Sequence, residues 1–198
     1  MLIAVLAATC STGAGDGRVW GSVDLPGCVG EQDDFDMEVD FFAADWFNGT
    51  LTIRLQHGGQ NQAFSDGIIL RVSDPDLFAD APGETFEVTV VPDLDAFLEQ
   101  GPDAGIPSTA PGSPVRATLY LNETCPGNRF GFTDGAGEIS FDNIYVPDES
   151  KRIRGRFHLR FVDPRHWESP EETGPGADLQ GEFDFNYTRG SPAQTFPD

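Results

Sequence analysis

Basic residues are scarce in this 198-residue sequence, and lysine is almost missing. Lys151 is the one lysine among twelve basic residues, against 33 aspartates and glutamates, so the formal net charge is −21. Such a field repels phosphate groups, which excludes nucleic acid and anionic lipid headgroups as expected partners. Cationic surfaces, glycans and proteins are the partners that remain, unless the acidity serves only to keep the protein soluble.

Long apolar runs are also missing, because none reaches the roughly twenty residues of a membrane-spanning helix. The run Met1-Leu-Ile-Ala-Val-Leu-Ala-Ala-Thr-Cys10 is instead typical of the end of a lipoprotein signal peptide. It predicts export, with a lipid on Cys10 as the only membrane attachment and a flexible tether over residues 11–17. Since Thr9 is unusual before a cleaved bond and no basic residue precedes the run, a buried first strand is the alternative.

Cysteine is rare as well, with three in the chain. If Cys10 carries a lipid, Cys28 and Cys125 remain as a single pair that an oxidising compartment would allow to bond. In the chain-entropy model, closing a loop of about 100 residues contributes about 4 kcal/mol to stability. The alternative is two unrelated buried thiols.

The motifs of common catalytic sites are missing too. His57, His158 and His166 occur singly, without the His-x-x-x-His or His-Glu-x-x-His spacing of zinc sites. No Gly-x-Ser-x-Gly accompanies the His57-Gly-Gly loop, so that loop has no nucleophile beside it. We therefore predict no catalytic residue and no enzymatic activity. A secreted hydrolase is the alternative, because 33 acidic residues always offer two carboxylates at some separation suited to glycoside chemistry.

What the chain does contain is turn residues and alternating strands. The 23 glycines and 15 prolines imply many turns and few long helices. Nine or ten short segments alternate between apolar and polar residues, which predicts an all-β antiparallel β-sandwich, jelly-roll-like or a related barrel. At most two short helices are expected, one starting at Pro75 and one over Asp93–Gln100. We expect one domain over residues 18–188 and a frayed tail over 189–198.

A tight hairpin is predicted near residue 48. Asn48-Gly49 lies between two apolar runs, and this dipeptide is the strongest short signal for a two-residue turn. It joins the predicted strands Phe41–Phe47 and Thr50–His57.

The C-terminal third predicts a second hairpin. Ile153–Phe161 and Leu179–Tyr187 both alternate with a period of two, which places their aromatic residues on one face. The outward face of the first strand is basic and that of the second is acidic. Aligning the apolar faces sets Arg160 near Glu182 and His158 near Asp184.

A strand rich in acidic residues is the candidate metal site. Phe35, Met37 and Val39 alternate with carboxylates, which lie about 7 Å apart along one face. Hard cations such as Ca²⁺ prefer several oxygen ligands. The alternative is a face that is solvated or neutralised by an arginine-bearing strand, because no complete Asp-x-Asp-x-Asp-Gly loop is present. The candidate ligands are Asp33, Asp34, Asp36, Glu38 and Asp40.

One tryptophan is predicted to serve a ligand. Trp167 follows His166 in the long loop of the C-terminal hairpin, where a large aromatic either folds back on the core or contacts a ligand. Trp20 and Trp46 are expected in the core, the usual place of aromatic residues in a sandwich.

The leader residues Leu6–Cys10, together with Ile153–Tyr187, resemble a broad set of bacterial secreted β-sandwich lipoproteins. That set has no shared activity, so the resemblance implies fold and location alone. We expect a non-enzymatic, exported envelope or surface lipoprotein that acts as a structural or binding module. A Ca²⁺-dependent carbohydrate-binding or adhesive module is the first alternative, and Ca²⁺ is the only cofactor that the sequence suggests.

Overall fold

Ten β-strands form most of the part of the chain that the structure describes. The computed structural model describes residues 15–25, 28, 32–58, 62–89, 113–126, 133–147, 149–162 and 176–187. The strands are Gly15–Asp24 (β1), Gln32–Glu38 (β2), Phe41–Phe47 (β3), Thr50–His57 (β4), Asp66–Val72 (β5), Thr85–Val88 (β6), Val115–Leu121 (β7), Thr133–Asn143 (β8), Arg152–Val162 (β9) and Gly176–Asn186 (β10). The all-β prediction is confirmed.

All strands belong to one curled, antiparallel sheet. Its order is β2-β1-β10-β9-β8-β7-β5-β4-β3, and β6 pairs with β8 beside this path. β8 is eleven residues long, so it pairs with β7 at its beginning and with β6 farther along. A division of this sheet into two packed layers, the predicted sandwich, stays a prediction.

Helical structure is confined to short turns in the described residues. The helix α1 spans Pro75–Asp80, and the Asp74 carboxylate caps it by accepting the N–H of Leu77 at 3.3 Å. This confirms the helical turn predicted at Pro75, whereas the helix predicted over Asp93–Gln100 lies outside the described residues. A single 3₁₀ turn spans Gln62–Phe64. Within the described ranges, no helix has the length and apolar character that crossing a bilayer requires.

The core lies on the inner side of the curl. Alternation in β4 buries Leu51, Ile53 and Leu55 completely, as the sequence predicts. Burying one such side chain stabilises the fold by about 1.5–3 kcal/mol. The sheet curls far enough for the Phe42 ring of β3 to stack on Phe185 of β10, with ring centroids 5.1 Å apart.

The two ends of the sheet are joined by a corner of only two residues, Val39 and Asp40. The Val39 N–H donates to the Gly17 carbonyl oxygen at 2.9 Å, and the Asp40 N–H donates to the Gln56 carbonyl oxygen at 3.1 Å. The backbone therefore hydrogen-bonds to β1 at Val39 and to β4 at the very next residue, Asp40. This corner holds the first and last strands of the sheet order together.

The β3–β4 hairpin has the predicted bounds and turn. Asn48 and Gly49 have φ angles of 50° and 79°. Two consecutive left-handed residues are what a type I′ turn requires, and asparagine followed by glycine tolerates them best.

The C-terminal hairpin forms, but the register predicted for it is wrong by four residues. Arg160 lies opposite Asp178, and His158 lies opposite Gln180. In the observed register, Phe157 covers Gly181, where a Cβ atom would clash with the phenylalanine ring.

A second pair of the same kind supports this register. Phe183 lies opposite Gly155, and a Cβ atom there would approach the Phe183 ring to 2.8 Å. Matching apolar and polar faces allows β9 to shift against β10 by any even number of residues. The two phenylalanine–glycine pairs select one register among these.

The first strand begins inside the predicted tether, and the two cysteines predicted to bond lie close together. β1 begins at Gly15, inside the stretch 11–17 where the sequence predicts a tether. Cys28 follows β1 and Cys125 follows β7, and the structure brings their sulfur atoms within bonding distance across 97 residues of sequence.

Candidate functional site

The outward side of β2, β1, β10, β9 and β8 carries most of the described arginines that are exposed, and we call it the charged face. It arises because inward apolar residues alternate with outward polar ones on each strand. One row alternates in charge across four strands and consists of Glu38, Arg18, Glu182 and Arg156. A neighbouring row consists of Trp20, Gln180, His158 and Glu138.

Several ion pairs fix this face. Arg18 binds Asp36 through two hydrogen bonds of 2.6 and 2.8 Å. This contact lowers the pKa of Asp36 and raises the pKa of Arg18. Arg152 binds Asp184 in the same way and lowers the pKa of that carboxyl.

A histidine completes the set of paired groups. His158 Nε2 lies 2.7 Å from Asp178 Oδ1, a diagonal partner on β10. The partner predicted from sequence, Asp184, is instead bound by Arg152. In the observed register His158 lies directly opposite Gln180, and its acidic partner Asp178 is the diagonal neighbour two residues before Gln180.

Two adjoining concavities lie on the charged face. The larger groove has a volume of about 810 Å³, and its walls include Arg18, Glu38, His57, Asp142, Arg154 and Asp184. The smaller pocket has a volume of about 250 Å³, and its walls include Trp20, Thr85, Glu138, Ser140, His158 and Gln180. Arg156 and Glu182 line both.

Arg156 and Glu182 are the charged residues that line both concavities. They lie opposite each other in register, yet in the described part of the chain neither makes an ion pair within 4.0 Å or a side-chain hydrogen bond. Both groups are exposed where the concavities meet. The boundary therefore offers a donor and an acceptor that a ligand can reach without breaking an existing pair.

The acidic strand predicted to bind Ca²⁺ is β2, extended by Asp40. Asp34, Asp36, Glu38 and Asp40 are exposed, as predicted, while the side chain of Asp33 lies outside what the structure describes. Asp36 is bound by Arg18 of β1, a partner that the sequence analysis did not identify. No group of three or more His, Cys, Asp or Glu residues arranged to hold a metal occurs among the described residues.

The other predicted site residues fall outside the described ranges. These are Cys10, His166 and Trp167. Trp46 packs against the core beside Tyr145, with ring centroids 5.7 Å apart.

Trp20 is the functional candidate that sequence reasoning missed. It was assigned to the core by residue type, but it lines the smaller pocket on the outward side. Its phase in the strand could have shown this, because Val19 and Val23 are buried at odd positions while Arg18 and Ser22 are exposed at even ones.

A hydrolytic site would need a carboxyl group held protonated near neutral pH, beside a second carboxylate. The shifted carboxyl groups in the larger groove, Asp36 and Asp184, both have lowered pKa values. Asp134 has a pKa raised by burial, but it lines neither concavity. Asp36 and Asp184 are therefore poorly suited to donate a proton near neutral pH.

Comparison with known proteins gives no further guide. No family model, curated protein or solved structure matches the chain.

Proposed function

We propose that this protein is an exported, non-enzymatic binding module that holds a polar ligand against its charged face. The observation that carries the proposal is the pair of adjoining concavities whose shared residues, Arg156 and Glu182, form no side-chain hydrogen bond and no ion pair within 4.0 Å in the described structure. Unpaired polar groups in a concave site are what fixes the orientation of a ligand. The leader-like run ending at Cys10 and the pairing of Cys28 with Cys125 support export and a lipid anchor at the cell envelope.

The rigidity of the surrounding face supports the same role. Arg18 and His158 are each held by a carboxylate, and Asp184 is held by Arg152, so these wall residues are positioned before a ligand arrives. A preformed site loses less conformational entropy on binding than a flexible one. The face can therefore bind without a large rearrangement of the sheet.

The test is isothermal titration calorimetry of the wild-type protein against four probe classes. These are neutral oligosaccharides, acidic oligosaccharides, a lysine-rich peptide and a glutamate-rich peptide, each titrated with CaCl₂ and with EDTA. We expect one class to bind. Loss of that binding in EDTA would support the Ca²⁺-dependent form of the module.

The matched variants are Arg156→Ala and Arg160→Ala. Both remove one exposed arginine from the outward side of β9, but Arg160 lines neither concavity. Removing a charged hydrogen bond to the ligand at Arg156 should weaken binding by about tenfold or more, and Arg160→Ala should leave it unchanged. Failure of all four probe classes to bind, or equal losses in the two variants, would overturn the proposal.

A further inference from the structure

Resting on the proposed function, we infer that the ligand is a neutral carbohydrate, one ring of which packs on Trp20 in the smaller pocket. Trp20 is partly exposed on the outward side of β1. The Arg18 guanidinium lies over one face of its ring system, with its carbon 5.8 Å from the ring centre, so the sugar would pack on the opposite face. An aromatic ring at the wall of a polar pocket gives an apolar surface to a ligand that is otherwise polar. The apolar side of a sugar ring has this combination of properties.

The polar groups beside Trp20 suit hydroxyl groups. Gln180, His158 and Glu138 follow it in register on β10, β9 and β8. Neighbouring strands lie about 4.8 Å apart, so an amide, an imidazole and a carboxylate succeed one another across the pocket at that spacing. Each hydroxyl both donates and accepts hydrogen bonds, and it can therefore use donors and acceptors that alternate.

The charges of the face argue against an ionic ligand. An anion approaching Arg156 meets Glu182 opposite it on β10, and the net charge of −21 repels the anion at longer range. A cationic group approaching Glu182 meets Arg156 and Arg18 on either side of it in the same row. A neutral ligand with many hydroxyl groups meets no such repulsion.

The same ligand would extend from the smaller pocket into the larger groove. It continues from Arg156 and Glu182 to Asp184 and Arg154, two residues farther along β10 and β9. From the Trp20 row to the Asp184 row the distance is about 13 Å along the strands. A chain of sugar units, rather than a single one, would fill both concavities, so affinity should rise with oligosaccharide length.

The experiment compares Trp20→Ala with wild type against neutral malto-, cello-, xylo-, manno- and chito-oligosaccharides in short and long forms. We expect at least one series to bind more tightly as its chain lengthens. We expect Trp20→Ala to weaken that binding by about tenfold and Trp20→Phe to weaken it less, since phenylalanine retains part of the apolar surface. The control is Phe47→Ala, which removes an aromatic side chain that is 68% exposed at the β3–β4 hairpin. This variant should bind the oligosaccharide with the affinity of the wild type.

The outcomes separate this inference from the proposed function. If a charged probe binds in a manner that depends on Arg156 but not on Trp20, the proposed function stands and the carbohydrate inference fails. If no probe binds, the proposed function fails as well. Should Trp20→Ala melt below the assay temperature, Gln180→Ala replaces it, because Gln180 is exposed in the same row. An unchanged affinity in that variant would overturn the inference.

Discussion

Outward polar residues are exposed in one half of the sheet and mostly buried in the other. On the charged face these residues are exposed and pair across the strands at the surface. On β4, β7 and the beginning of β8 the outward side carries a polar set that is mostly buried, which we call the buried polar row. Its members are Arg54, Gln56, Arg116, Thr118, Tyr120 and Asp134.

Hydrogen bonds join several members of the buried polar row. The Tyr120 hydroxyl donates to Gln56 Oε1 at 2.8 Å across Gly67, and the Thr118 hydroxyl donates to Asp134 Oδ1 at 2.7 Å. Burial raises the pKa of both Tyr120 and Asp134. A buried polar group costs stability unless it is paired, so this half should depend on its polar contacts for folding.

The charged face should depend on its ion pairs much less, because water replaces a lost partner there. The difference separates two roles of the same alternating pattern. In one half outward polar residues hold the fold, and in the other they are available to a ligand.

The largest expected effect comes from the link between the halves. Cys28 lies in the connection from β1 to β2, and Cys125 lies in the turn that follows β7. Replacing both with alanine should lower the free energy of unfolding by about 4 kcal/mol, since the cross-link closes a long loop in the unfolded chain. Urea denaturation of the oxidised wild type and of the variant measures this. A loss below about 1 kcal/mol, or free thiols in the unreduced wild type, would contradict the prediction.

A matched pair of substitutions tests the comparison directly. Asp134 and Asp184 each bind an arginine, but their side chains are 1% and 34% exposed. Asp134→Ala should cost about 2–3 kcal/mol, below the range for a fully buried pair because the Arg116 side chain is 21% exposed. Asp184→Ala should cost less than about 1 kcal/mol. Equal losses in urea denaturation would remove the distinction between the two halves.

The smallest expected effect is the change of folding stability with pH. Its slope should have opposite signs above and below the ordinary aspartate pKa of 3.8. Burial raises the pKa of Asp134, so the folded state binds its proton more tightly and stability increases as the pH falls towards 3.8. Arg152 lowers the pKa of Asp184, so that contribution is lost as the pH falls below 3.8.

The measurement is the urea midpoint as a function of pH for wild type, Asp134→Asn and Asp184→Asn. Asp134→Asn should flatten the curve above pH 3.8, and Asp184→Asn should flatten it below, by less than about 1 kcal/mol. Slopes identical to wild type in both variants would contradict the assigned pKa directions.

Local signals in the sequence predicted most of the fold. The Asn48-Gly49 turn set the bounds of β3 and β4, and alternation set the inward residues of β4. The register of β9 against β10 could not be predicted from polarity, because the choice depends on Phe157 and Phe183 fitting over glycines of the opposite strand.

The candidate site was harder to predict, because it depends on which strands become neighbours. The acidic residues of β2 were identified, but Arg18 on β1 as the partner of Asp36 follows only from strand order. Residue type alone predicts a core position for Trp20, whereas its phase in the strand indicates an outward one. The buried polar row was missed for a related reason. Arg54 and Gln56 occupy outward positions, and nothing in their spacing indicates burial.

The place of β10 in the sheet has a consequence for how the protein is made. β10 is the last strand described, yet it lies between β1 and β9 and supplies Gln180, Glu182 and Asp184 to the charged face. Its pairing with β1 joins Gly15 to Phe185, which gives the fold a high contact order and predicts slow folding. Neither concavity can exist on a nascent chain until β10 has emerged from the ribosome. A chain that crosses a membrane unfolded would therefore form the charged face only on the far side.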